Sequence, residues 1–349
     1  MAAPMQVELG FVENVEEFLL KSRFFPSKLG GRPAWLALES LPTTEELSCC
    51  ECSQPTSFLL QISSPMPQKL ETFHRTIFIF VCSNPNCCKP NSNKNFHVFR
   101  SQLPRENKFY STEPAPEIPE ENEVDASKCN KLCVVCGCLG PKTCSKCHKV
   151  NYCCKGHQAL HWKKGHKASC SSGKDDNTDL SKFECLFPEM EIVTETENYQ
   201  PEDEVEKTDK EKMKEYAEYL KTENMSQTCG EMPEAELQKM ASKESENDKQ
   251  LRKFKKRISL EPEQVLRYDK GQEPLWIAHD PKPDVIPDCK CGAKRQFEFQ
   301  VLPTLLSHMN VDKVGVSIDW GTLCVYTCSE SCSIGNTYSR EYLFKQDVV

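Results

Sequence analysis

Apolar positions in this chain fall into short alternating runs rather than long helical stripes. Phe58 to Ile62, Ile77 to Val81 and His97 to Arg100 read as strands, each rich in β-branched or aromatic residues. Thr322 to Thr327 shows the same character near the C-terminus. Helical signals are few. Leu251, Phe254 and Ile258 recur at helix spacing and predict one amphipathic segment, and Glu211 to Lys221 predicts a second helix without a wide apolar stripe. Pro114, Pro116 and Pro119 exclude regular helix from a linker that begins at Glu113.

The strand-rich segments are two statements of one pattern. Gly30-Gly31-Arg32-Pro33-Ala34-Trp35-Leu36 is answered by Gly271-Gln272-Glu273-Pro274-Leu275-Trp276-Ile277, a shared G-x-x-P-x-W-[LI]. A cysteine pair follows in each (Cys49 with Cys52, Cys289 with Cys291), and six residues beyond it comes F-x-x-Q, from Phe58 to Gln61 and from Phe297 to Gln300. A second cysteine pair closes each unit, Cys82 with Cys87 and Cys328 with Cys332, and Phe99-Arg100-Ser101-Gln102 and Phe344-Lys345-Gln346 end the two. Landmarks kept in this order predict an internal duplication. The expected fold is α+β, mostly β. Two pseudosymmetric β-rich repeats, 1–112 and 246–349, pack as one body, with a linker at 113–127, a Cys/His block at 128–172 and a disordered acidic linker at 173–245.

Charge is unevenly spread. The 349 residues carry a net −8 and 28% charged side chains, yet from Glu189 to Lys249 there are 19 acids against 8 lysines. A mildly basic folded part thus carries an acidic strap, suited to wrapping a cationic partner. The segment MAAPMQVELG shows neither the basic nor the apolar part of a leader, and no run approaches the roughly 20 apolar residues of a membrane span, so an intracellular setting is expected. In a reducing compartment, 22 cysteines at short spacings point to metal rather than disulfides.

The central block reads Cys133-x2-Cys136-x7-Cys144-x2-Cys147-x5-Cys153-x3-His157-x8-His166-x3-Cys170. Eight soft donors in four pairs can fill two tetrahedral zinc shells. The interleaved assignment puts Cys133, Cys136, Cys153 and His157 on one ion and Cys144, Cys147, His166 and Cys170 on the other. Metal then supplies the folding free energy that so small a core lacks. The repeats each offer four more thiolates, Cys49, Cys52, Cys82 and Cys87 in the first and Cys289, Cys291, Cys328 and Cys332 in the second, for one structural zinc apiece; Cys88 could take the place of Cys87. Shells of four protein ligands leave no open position, and the chain has no H-E-x-x-H, Walker, G-x-S-x-G or dinucleotide motif, so no enzyme is expected. Trp35 and Trp276 have two readings, as core plugs behind a tight turn or as contacts for a partner.

The Cys/His block resembles the MYND-type zinc finger, including Tyr152, Gln158 and Trp162. The resemblance implies a protein-interaction module that grips a proline-containing peptide near Gln158 and Trp162. His157 stands where many members have Cys, and His161 where an acid often precedes the Trp. From Lys128 to Cys170 there are nine lysines and no acid, which also suits sequence-blind attraction to a phosphate backbone, so DNA is a second possible partner. GGRPAWL, SFLLQ, FHRTIFIF, CVVCGCLGPKTC, LEPEQVLRY, DCKCGAKRQFEFQVLP, SIDWGTL and YTCSESC occur in this order. With them the chain resembles the programmed cell death protein 2 family. That resemblance implies a non-enzymatic zinc protein of nucleus and cytoplasm. It would act as an adaptor or chaperone for a basic small-subunit ribosomal protein and support ribosome biogenesis, proliferation and survival. The alternative is a nuclear DNA-binding or transcriptional regulator that acts through the finger.

Overall fold

A chain of short alternating runs has to dispose of its sheet edges, and here closure removes them. The computed structural model describes residues 6–120, 123–172, 183–199, 245–309, 311 and 317–348. The strands are β1 (Glu8–Glu13), β2 (Lys28–Leu29), β3 (Ser57–Ser63), β4 (His74–Val81), β5 (Phe96–Leu103), β6 (Lys142–Thr143) and β7 (Asn151–Tyr152). They continue with β8 (Met190–Thr196), β9 (Leu266–Tyr268), β10 (Arg295–Val301), β11 (Thr322–Cys328) and β12 (Tyr338–Gln346). The helices are α1 (Lys155–His161), α2 (Lys167–Ser172), α3 (Glu246–Ile258) and α4 (Leu305–His308). Ten strands form one closed antiparallel barrel in the order β1-β8-β2-β3-β4-β5-β12-β11-β10-β9, with β9 returning to β1. β6 and β7 form a separate hairpin inside the Cys/His block.

The two runs expected to pack as one body form a single barrel. The runs β2 to β5 and β9 to β12 are halves of a single sheet, because β5 and β12, the last strand of each, pair with one another (Tyr338 opposite Ser101, Glu341 opposite Val98). Each would otherwise leave an apolar edge open. A correction concerns the acidic linker. Within the span 173–245, Met190–Thr196 is β8, which pairs along its length with β1 and buries Ile192 in the barrel core. The alternation Met190, Ile192, Thr194 was hidden in composition by Glu191 and Glu195 on the opposite face. The helix expected at Glu211 to Lys221 lies outside the described residues, as does most of the rest of that linker.

Leu60, Ile62, Ile77, Ile79, Val325 and Leu343 fill the barrel interior. The other face of β3 to β5 carries Phe58, Phe78, Phe80 and Phe99, which pack with Trp35 against Val135, Tyr152 and the buried cysteines of the finger. β4 is therefore buried on both sides, which is why its Ile77 to Val81 run is continuously apolar. The matching face of β10 to β12 holds Phe297, Cys324, Tyr326 and Phe344 with Trp276. α3 begins with a capping box, Ser245 and Asp248 each accepting from the other's backbone N–H. Its Leu251, Phe254 and Ile258 pack on Leu275, Ile277, Ala278 and Leu302, as the helical spacing predicts.

The two runs share local detail. Both F-x-x-Q segments carry a bulge at the same place, between Phe58 and Leu60 and between Phe297 and Phe299. Both glutamines then reach the residue after the motif's proline: Gln61 accepts from Ala34 N at 2.9 Å and donates to Ala34 O at 3.3 Å, and Gln300 accepts from Leu275 N at 2.6 Å and donates to Leu275 O at 3.0 Å. The glutamine thus pins the G-x-x-P turn to the sheet. At Gly30 (φ 61°) an added Cβ would lie 2.1 Å from Pro188 O, so the approach of the chain to β8 requires glycine there.

Candidate metal centres

Among the described residues, sixteen soft donors gather into four clusters. They are Cys49, Cys52, Cys82 and Cys87; Cys133, Cys136, Cys153 and His157; Cys144, Cys147, His166 and Cys170; and Cys289, Cys291, Cys328 and Cys332, with donor atoms in each within 4.8 Å of one another. The structure thus joins the sequence-selected residues in the interleaved sets, and it takes Cys87 rather than Cys88 into the first; the Cys88 thiol instead donates to Asp319 O at 3.0 Å.

Backbone geometry aims each pair. Cys49 and Cys52 sit on a knuckle closed by Ser53 N–H donating to Cys49 O at 2.9 Å, with Ser53 at φ 57°. Cys82 leaves the end of β4, and Cys87 lies on a single turn over Pro85–Cys87 capped by Asn84. In the run β9 to β12 Gly292, at φ 90°, turns the chain between Cys289 and the strand, and Cys328 is the last residue of β11. In the finger, Cys133 and Cys136 flank a turn closed by Gly137 N–H donating to Cys133 O at 2.9 Å, while α1 presents His157.

The spacing of the donor atoms tests whether a metal fits. Sγ–Sγ separations are 3.6 Å for Cys52–Cys82, 3.7 Å for Cys136–Cys153, Cys289–Cys332 and Cys291–Cys328, and 4.0 Å for Cys144–Cys170. A disulfide would require about 2.05 Å. Zinc–sulfur bonds of about 2.3 Å in a tetrahedron place sulfurs about 3.8 Å apart. His157 Nδ1 lies 3.1 Å from Cys153 Sγ and 3.5 Å from Cys133 Sγ, and His166 Nε2 lies 3.6 Å from Cys147 Sγ. The clusters are compatible with zinc.

Surrounding side chains hold these sets in place. His161, fully buried, stacks on His166 at 4.8 Å and pairs with the Tyr152 hydroxyl at 3.0 Å, so the departure from the usual finger pattern supports a ligand ring. Arg32 donates to the carbonyls of Val134 and Val135; burial lowers its guanidinium below the usual value, opposed in part by Cys136 and Cys133. Arg100 reaches Cys332 Sγ at 3.5 Å and Cys332 O at 3.2 Å, with Glu341 beside it at 2.8 Å. Burial and the adjoining thiols push Cys87 up to about 11 and Cys332 up to about 12, so metal loading displaces protons there. Spacing alone did not mark Arg32 or Arg100. Their signal was position, Arg32 inside G-x-x-P-x-W and Arg100 inside the closing F-R-S-Q.

The two tryptophans are corrected as partner contacts. Trp35, 2% exposed, stacks on Phe78 at 5.4 Å and donates from Nε1 to Gly137 O of the finger at 2.9 Å. Trp276, 8% exposed, packs edge-on to Phe344 at 6.0 Å. Each plugs the face behind its turn. Gln158 and Trp162 stand half-buried on the finger's helical segment, with Trp162 edge-on to His166 at 5.9 Å.

The barrel clusters lie at opposite ends. Cys82 follows β4 at the mouth where β3 begins, whereas Cys328 ends β11 beside Arg295, the start of β10; the β5–β12 and β11–β12 registers place these at the two rims.

Family models match three segments: the N-terminal domain of Programmed cell death protein 2 at residues 6–117, the MYND finger at 133–170 and the C-terminal domain of Programmed cell death protein 2 at 248–347. Programmed cell death protein 2 of Mus musculus is 47% identical over 99% of this chain and 98% of its own length. Programmed cell death protein 2-like of the same organism is 27% identical over 89% of this chain and 86% of its own. Probable 20S rRNA accumulation protein 4 of Schizosaccharomyces pombe is 32% identical over 99 residues, 25% of this chain and 24% of that protein. No solved structure matches. With both terminal domains, the finger between them and a full-length relative at this identity, the chain belongs to the programmed cell death protein 2 family.

Proposed function

We propose that this protein is a non-enzymatic adaptor or chaperone that holds a basic small-subunit ribosomal protein and supports ribosome biogenesis, and through it proliferation and survival. The observation that carries this reading is that each of the four Cys/His sets supplies four protein donors. Such sets fill a tetrahedral shell, so the ions serve as scaffold and leave binding as the work of the molecule. Four zinc ions follow, two in the finger and one at each rim of the barrel. The shared bulge and glutamine contact support descent of the two runs from one repeat. The acidic stretch from Glu189 to Lys249 suits a cationic client. The relative named for 20S rRNA accumulation supports the ribosomal direction. The finger is a second docking site, for a proline-containing peptide at Gln158 and Trp162, and the protein works in nucleus and cytoplasm.

The test is affinity capture of the tagged chain from nuclease-treated cells at moderate salt, with mass spectrometry of what co-purifies. One basic small-subunit ribosomal protein at near-equal yield, free of other ribosomal proteins, is the expected result. The nine lysines of the finger favour one rival, a DNA-binding regulator. A parallel capture without nuclease that is dominated by chromatin proteins, all of them lost on nuclease treatment with no ribosomal protein left behind, would replace the escort with that regulator.

A further inference from the structure

A cavity of about 890 Å³ opens where the finger's linker, the turn after β1 and the mouth of the barrel meet. This is toward the upper end of the roughly 300–1,000 Å³ spanned by ligand pockets. Its apolar lining includes buried Leu20 and Ile318 and half-buried Val15, Val124, Leu186 and Val311. Five carboxylates and three cations also line it, and the cations are largely engaged. Lys28 is paired with Glu189 and donates to Arg32 O at 2.8 Å. Arg32 is turned toward the carbonyls of Val134 and Val135. Of the acids, Glu123 pairs with Arg23 at 3.2 Å. Among the described residues Glu17 and Asp125 form no ion pair, Asp125 Oδ1 accepting only from Ser127 N–H at 2.7 Å, and Glu184, 86% exposed, has only a 3.8 Å contact with Lys164. Among the described lining residues, three carboxylates therefore face the opening, and Lys21 is the one lining cation not held by an acid or a carbonyl, above apolar walls.

We propose that this groove binds an extended basic segment of a protein partner, with Arg or Lys side chains meeting Glu17, Asp125 and Glu184 and an apolar side chain seated between Val15, Val124 and Ile318. Charge complementarity selects the occupant: an acidic chain would meet like charge, and a purely apolar one would leave the rim carboxylates without counter-charge. The inference deepens the escort reading by placing part of the client's contact at the barrel mouth rather than on the finger helix. The groove is built from both terminal units and the linker, so only the assembled barrel presents it.

Fluorescence anisotropy with the full-length zinc-loaded chain tests it, using a fluorescein-labelled Arg-Leu repeat peptide as probe. The expected result is saturable binding that weakens about tenfold or more in Glu17→Lys with Glu184→Lys, and changes less than about twofold in Glu263→Lys with Asp284→Lys, which alters net charge equally outside the groove. An Arg-Ser repeat should bind more weakly than Arg-Leu. Equal losses in both double variants, or equal binding of the two peptides, would reduce the groove to bulk attraction and overturn the proposal. Zinc content and melting temperature confirm that each variant is folded. In cells, a wild-type chain that captures the ribosomal client while the groove variant captures it equally well removes the groove and leaves the escort standing. A wild-type chain that captures no such client removes the escort, whatever the peptide titration shows.

Discussion

Arg75 on β4 and Glu298 on β10 meet across the barrel interior, since their strands are not neighbours in the sheet, and neither side chain is exposed. Burial alone would raise the Glu298 carboxyl, but Arg75, then Lys270 at 3.5 Å and Thr327, hold it far below the usual carboxylate range. Arg75→Met should cost about 3–5 kcal/mol in urea unfolding because it strands a buried carboxylate, whereas Arg75→Met with Glu298→Leu should cost much less. His97 offers a pH test. Burial, then Arg340, lowers its imidazole to about 4 from the ordinary 6.5. On acidification through that window the unfolded chain takes up the proton first, so stability falls between those values, and His97→Gln should flatten that part of the pH profile of melting temperature. At the ligands, Cys328→Ser should lower zinc content by one ion per chain, counted by elemental analysis, and lower the melting temperature. Because zinc displaces protons from thiols such as Cys87 and Cys332, a chelator should strip the metal more readily at mildly acidic than at mildly alkaline pH.

Among the elements, β8 closes the sheet between β1 and β2 and carries one fully apolar contact into the core, Ile192. Ile192→Ala should cost about 2–5 kcal/mol, and Glu195→Ala on the same strand's outer side under about 0.5 kcal/mol, both by denaturant titration. β8 also shows where the sequence stopped being readable. Strands with strong β-branched or aromatic runs, such as β4 and β11, were legible because both of their faces are buried. β8 and β1 each bury little, and their alternation is diluted by glutamates. The metal sets were legible from spacing within the finger, where partners lie a few residues apart. In the barrel the recurring order of cysteine pairs in the sequence pointed to the pairing, since Cys52 and Cys82 meet only through the fold. What no local pattern could show was the β5–β12 seam: it depends on which strand edges remain open after each run has formed.

Across the whole molecule, β1 from the N-terminal segment pairs with β9 of the second run, and β8 from the far side of the finger borders the first run at β2. Residues 1–112 expressed alone should therefore remain poorly folded, with little dispersion in NMR spectra and exposed apolar surface. By contrast, a chain cut between residues 200 and 244, with both pieces co-expressed, keeps all ten barrel strands and should purify as a one-to-one zinc-bearing complex. Dissociation of such a complex on mild dilution would argue that the seams are weaker than the barrel order suggests. The β5–β12 seam also sets a clock during synthesis. β5 is complete at Leu103, but its partner ends at Gln346, so at ordinary elongation rates its edge waits on the order of tens of seconds for β12. The barrel can close only once β12 has left the ribosome, and until then the nascent chain carries an open strand edge that the cell must shield.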